Sequence, residues 1–171
     1  MKKETRDLLK IRAAAMAREI DEKKEISDSI ELIVFVLGAE TYGISSSFVR
    51  EICTLKEFTT LPGIPPFILG LIHVRRQILP IVDLKKFLNL PNRGLGELNK
   101  VIILQNEQME FGILADVVHG TQTIGLDEIK EAPPTVGNIG EEYLMGVTRD
   151  RLIVLNAENL LMDKNLIVNT A

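Results

Sequence analysis

Apolar residues in this chain come in short runs rich in Ile, Leu and Val, broken every few positions by glycine, proline or a polar reversal. That spacing favours short strands joined by tight turns and leaves little room for long helices. Residues 32–37 (LIVFVL) are continuously apolar, which predicts a strand buried on both faces. Gly38-Ala39-Glu40 turns this run back into residues 41–44, a first hairpin. A second runs up residues 67–74, reverses at Arg75-Arg76-Gln77 and returns along 78–82. The style repeats at 101–104, with a turn at 106–108 and a return through 109–114. The chain then continues from Asp116 to Ile124, and 143–148 with 152–155, turning at Asp150, closes the series.

The connections carry their own signals. Ser45, Ser46 and Ser47 precede Phe48-Val49-Arg50-Glu51-Ile52, where hydroxyls are expected to cap a short helix with Phe48, Val49 and Ile52 on one face. The stretch Leu61-Pro62-Gly63-Ile64-Pro65-Pro66 reads as a rigid connection. Asp83 is placed to cap a short helix at 84–88, a loop spans 91–99, and residues 156–161 form a closing helix. Residues 4–24 are rich in helix formers and predict an amphipathic N-terminal helix, set off by polar residues 25–29. Residues 1–30 are thus an extension, 31–163 the folded domain and 164–171 a tail. The fold class is mainly β, with two halves, each opening on an apolar hairpin, forming two small barrels side by side.

Composition narrows the function. A chain of 171 residues can support one compact domain, and with no Trp and 5% aromatics its core must rest on Ile, Leu and Val. A net charge of -4 lacks the basic surplus that neutralises phosphates, so no nucleic-acid partner is expected. The single Cys53 has no partner for a disulfide and reads as a small buried apolar side chain in a reducing compartment. No apolar run approaches the ~20 residues of a membrane span, and the charged N-terminus does not read as a secretion signal, which places the protein in the cytoplasm.

The motifs of common catalytic chemistry are incomplete. Gly94-Leu95-Gly96 is a lone GxG, Gly137-Asn138-Ile139-Gly140 lacks a following Lys, and Gly43-Ile44-Ser45-Ser46-Ser47 lacks the second glycine of a hydrolase elbow. His73 lies amid apolar strand residues as a structural histidine, and His119 is expected to make a loop contact beside Asp116. The acid pairs Asp127-Glu128 and Glu141-Glu142 fall in hydrophilic stretches and read as solvated. Neither an enzyme nor a cofactor or metal site is expected.

The segment from Gly70 through Arg75 and Pro80 to Asp83-Leu84 resembles the central motif of the CheW family, in which a glycine, an arginine at the turn, a proline and Asp-Leu recur at these spacings. Similarity extends through Phe35-x-Leu37, Tyr42-Gly43-Ile44, Val49-x-Glu51-Ile52, Leu61-Pro62, Phe111-Gly112-Ile113 and Tyr143-Leu144-Met145-Gly146. The resemblance implies two five-stranded SH3-like barrels and a non-enzymatic adaptor. Its partners would be the regulatory domain of a CheA-type histidine kinase and the cytoplasmic tip of methyl-accepting chemoreceptors, in receptor arrays at the inner membrane face. By the same resemblance Glu51, Arg75 and Val118 would face the receptor, Val49, Ile52 and Gly70 the kinase, and Gly112 matches a further contact position. The same adaptor role in pili, gliding or another kinase pathway is an alternative, as is a barrel that binds a small molecule between its halves. Where the family has glycine after the turn arginine, this chain has Arg76, which forces either a positive φ or another turn type and bears on partner choice.

Overall fold

The computed structural model describes residues 28–90, 99–133 and 139–166; the predicted N-terminal helix and most of the 91–99 loop lie outside them. The strands are β1 (Ser29–Leu37), β2 (Glu40–Ser45), β3 (Val49–Thr54), β4 (Ile68–Val74), β5 (Gln77–Val82), β6 (Lys100–Gln105), β7 (Glu110–Ala115), β8 (Val117–Gly125), β9 (Leu144–Val147) and β10 (Ile153–Leu155). Two short helices follow strand ends, α1 (Leu84–Phe87) after β5 and α2 (Ala157–Leu161) after β10. Both are capped: Asp83, as expected, accepts from the Lys85 amide at 3.0 Å, and Asn156, which precedes rather than opens the closing helix, accepts from the Asn159 amide at 3.1 Å.

The strands form two five-stranded sheets, ordered β8-β1-β2-β10-β9 and β3-β6-β7-β5-β4. The fold is the expected mainly-β pair of SH3-like units, but these units are not the two sequence halves. The second sheet takes the uninterrupted middle of the chain, whereas the first is completed only when β8, β9 and β10 return to β1 and β2. Tight hairpins keep sequence neighbours together; the parallel β2–β10 pairing, Tyr42 opposite Ile153, needs the whole middle unit as its crossover.

Both sheets follow one plan. A central hairpin (β1–β2 or β6–β7) pairs in parallel with a strand from outside it, later in the chain for the first sheet (β10) and earlier for the second (β5), with Gly43 opposite Val154 and Gly112 opposite Ile81. A Cβ on Gly112 would lie 2.6 Å from Val101 Cγ1, and one on Gly43 3.0 Å from Leu32 Cδ1, so the glycines let the strand beneath fill the interior. The outer strand carries a one-residue bulge at the corresponding place, Arg50 between Val49 and Glu51 in β3 and His119 between Val118 and Gly120 in β8. On β4, Gly70 lies against the carbonyl of Thr59, where the backbone of Leu71 exchanges two 2.8 Å hydrogen bonds with Thr59. Gly146 on β9 stands against the carbonyl of Lys130 in the same way.

Alternate residues of each strand enter different clusters. Leu32 and Val34 fill the interior of the first unit with Ile124, Leu152 and Val154, while Ile72, Leu79, Ile81, Val101, Ile103 and Leu114 fill the second. The intervening residues, among them Ile33, Phe35, Ile102, Leu104, Phe111 and Ile113, join a central cluster drawn from both sheets and both helices. Residues 32–37 are accordingly apolar on both faces, as their composition predicts. Phe67, Phe87 and Tyr143 stack edge-to-face at 5.1 and 5.2 Å along this junction, and the Tyr143 hydroxyl donates to Asp163. Burial and then Asp163 raise the Tyr143 phenol above its ordinary pKa.

One ion pair sits at the junction. Lys85, from the capped turn of α1, is buried and donates to Asp116 Oδ1 at 2.8 Å. Asp116 lies where the chain passes from the second unit into the first, and its other oxygen accepts from the Gly38 amide of the β1–β2 turn at 2.7 Å. The Asp116 carboxylate, rather than contacting His119, therefore ties a turn of each unit together.

Two stability predictions follow from this packing. Asp116→Ala removes the carboxylate to which the buried Lys85 donates and should lower the unfolding free energy by about 2–3 kcal/mol, short of a fully buried pair because Asp116 keeps some exposure. Chemical denaturation checks this, and Lys85→Met combined with Asp116→Ala should recover most of the loss. Gly70→Ala and Gly146→Ala should each cost roughly 1–3 kcal/mol, because a methyl would drive the strand off the carbonyl it packs against; equal melting temperatures for wild type and variants would refute the close approach.

Candidate functional site

The end strands β3 and β4 of the second sheet share no hydrogen-bonded ladder. Side chains bridge the seam between them. The β4–β5 hairpin is the tightest available, Val74 pairing directly with Gln77 so that Arg75 and Arg76 alone make the turn. Both adopt positive φ, 46° and 70°, as the right-handed twist of the flanking strands requires of a two-residue loop. The turn projects Arg75 to the seam, where its Nε lies 3.3 Å from Glu51 Oε2. Glu51 is brought there by the bulge, which offsets it from Val49 so that the valine packs on the central cluster.

Arg50, the extra residue of that bulge, braces the site from beneath. It pairs with Glu110 at the start of β7 and donates to Gln77 Oε1 at 2.5 Å, linking three strands that sequence order separates. The hydrogen bond to Glu110 is the main reason its guanidinium holds its proton above the ordinary arginine range. The outer pair differs in kind: the Arg75 side chain is 76% exposed and Glu51 only 21%. An ion pair so exposed contributes ~0.2–1 kcal/mol, enough to orient Arg75 but not to commit it.

Two of the three expected receptor-facing residues, Glu51 and Arg75, thus meet. Val118 does not join them; it lies on β8 of the other sheet, paired with Phe35, half-buried against the central cluster. Val49 and Val118 occupy equivalent places beside the two bulges. Ile52 is exposed at 39%, whereas Gly70 and Gly112 are buried and serve close packing.

Several local expectations fail. Residues 48–52 are not a helix: Ser46–Phe48 form one 3-10 turn and β3 begins at Val49, because β6 offers a ladder and five residues cannot nucleate a helix alone. The serines cap nothing; Ser45 and Ser47 share a 2.8 Å hydrogen bond and Ser46 donates to Glu31. Val49 and Ile52 nonetheless share a face, opposite Leu104 and Ile102, because the bulge places an extra residue between them. His73 is exposed rather than a core histidine, since it occupies the outward position of β4. Cys53 is half-buried on the second unit's interior, and burial, then Glu51, push its thiol up in pKa. Neither the Arg50–Glu110–Gln77 brace nor the Lys85–Asp116 tie has a sequence signal, because their members are brought together only by the ladders.

Among the described residues, no cluster of His, Cys, Asp or Glu is arranged to hold a metal ion, and no helix is long and apolar enough to cross a membrane. The arrangement is one of side chains displayed on a braced scaffold.

Comparison with known proteins agrees with this architecture. Residues 31–165 match the CheW-like domain. The chain is 30% identical over 146 residues to the chemotaxis protein CheW of Treponema pallidum, spanning 81% of this chain and 86% of that protein. It is 30% identical over 142 residues to CheW of Bacillus subtilis, spanning 82% and 91%. The crystal structure of the scaffolding protein TtCheW from Thermoanaerobacter tengcongensis superposes with a TM-score of 0.69 at 30% identity, over 81% of this chain and 90% of that one. With the domain match covering both five-stranded units, the chain belongs to the CheW family.

Proposed function

We propose that this protein is a non-catalytic adaptor of chemosensory signalling, coupling the cytoplasmic tip of chemoreceptors to the regulatory domain of a CheA-type histidine kinase in receptor arrays. The observation that carries the reading is the Glu51–Arg75 pair: an exposed, weakly held arginine on a strained turn, oriented by an acid that a bulge positions. In this reading Arg75 exchanges Glu51 for a carboxylate or carbonyl of the receptor, while its stem lies on apolar surface. Val118, half-buried on the other unit, completes the receptor surface. The exposed Ile52 and its neighbour Val49 meet the kinase, and Gly70 holds β4 in the path that surface needs.

A ligand-binding barrel is less well supported, because the junction between the two units is filled by packed Ile, Leu and Phe side chains. Adaptor action needs only that both surfaces be presented at once on a rigid body.

Arg75→Ala should weaken binding to a chemoreceptor cytoplasmic fragment by about five- to tenfold, with the deficit shrinking at high salt, as for a charge at an interface rim, and Glu51→Ala, which keeps that charge but loses what orients it, should weaken binding by a smaller factor. Both variants should keep the wild-type melting temperature within about 2 °C, since the pair adds little to stability. Titration of the fragment at two salt concentrations checks this; undiminished binding by both variants would count against the adaptor surface proposed.

A further inference from the structure

The arginine next to Arg75 has no partner to account for its conformation. Arg76 is exposed, adopts φ 70°, and makes no ion pair or hydrogen bond among the described residues. The left-handed region disfavours any residue with a Cβ, and a two-residue turn of this kind is best served by Asn-Gly. Such a position is tolerated where the side chain has a use that offsets the strain.

Charge around the tip identifies the use. Three arginines converge there, Arg50, Arg75 and Arg76, and two acids answer them: Glu110 is engaged by Arg50 and Glu51 by Arg75. The surplus positive charge rests on Arg76, in a protein whose net charge is -4. Two residues on, Ile78 is 58% exposed, giving the cation an apolar neighbour. An unpaired guanidinium on a fixed backbone turn, two residues from an exposed apolar side chain, fits a carboxylate flanked by an aliphatic residue on a docking protein.

We infer that Arg76 is a specificity-determining residue that reads an acidic side chain of the receptor docked on the β4–β5 tip, an inference that rests on the adaptor reading above. Arg75 engages the receptor by giving up Glu51, whereas Arg76 has nothing to give up, so its contribution is added selectivity for acidic receptors.

Strain supplies an internal control. In the first unit, Arg151 holds φ 64° in the β9–β10 turn, next to Asp150 and away from the tip. Arg76→Gly and Arg151→Gly should each raise Tm by about 2–4 °C through relief of the same strain. Only Arg76→Gly should also weaken binding to the cytoplasmic hairpin fragments of the chemoreceptors encoded in the same genome, by about fivefold, and flatten the salt dependence. Arg76→Lys, which keeps the charge and the strain, should restore most of the affinity without raising Tm. Wild-type binding that Arg76→Gly leaves unchanged in strength and salt dependence overturns this inference alone, as does a loss confined to the kinase. A folded wild type that binds none of the fragments overturns the adaptor reading and this inference with it.

Discussion

The structure depends on each sheet being buried twice, once against its own unit's interior and once against a cluster shared by both. Along β1, Leu32 and Val34 serve the first purpose and Ile33, Phe35 and Leu37 the second; along β6, Val101 and Ile103 alternate with Ile102 and Leu104. Full burial of such side chains is worth roughly 1.5–3 kcal/mol each relative to exposure. A shared cluster larger than either interior therefore makes the two units one rigid body, and no exposed ion pair competes with it on that scale.

That rigidity divides the charged pairs into two kinds. Lys85 and Asp116 are held in the junction with a backbone amide completing the carboxylate's bonding, so they fix how the turns of the two units meet. Glu51 and Arg75 sit at the surface, too weakly coupled to matter for folding, with the arginine left open to solvent. The brace of Arg50, Glu110 and Gln77 stands between these extremes, its ion pair partly buried and its glutamine exposed, setting the seam from which Arg75 projects.

Because both sheets follow one plan, departures between them are informative. Bulges, close-packed glycines and capped helices occur in both units, since each solves the same packing problem. The tips differ: the second unit turns through two consecutive left-handed arginines, whereas the first has one, Arg151, beside Asp150. The tight two-residue reversal of the second unit thus places both strained residues, and two positive charges, at its exposed tip.

Local chemistry was readable from the chain alone. Runs of branched residues define most strands, Arg75-Arg76 marks the reversal, Asp83 announces a cap, and the motif from Gly70 to Leu84 carries the family resemblance, because each depends on neighbours a few residues away. The short run 48–52 misled, since its apolar spacing suits a helix or a strand and only the ladder to β6 decides between them. Which strands share a sheet, the bulges that turn Glu51 toward Arg75, and the Lys85–Asp116 tie were decided by tertiary structure. They rest on long-range pairings whose members carry no mark of one another in sequence, since hydrogen-bonded ladders specify backbone register and leave the meeting of side chains to the fold.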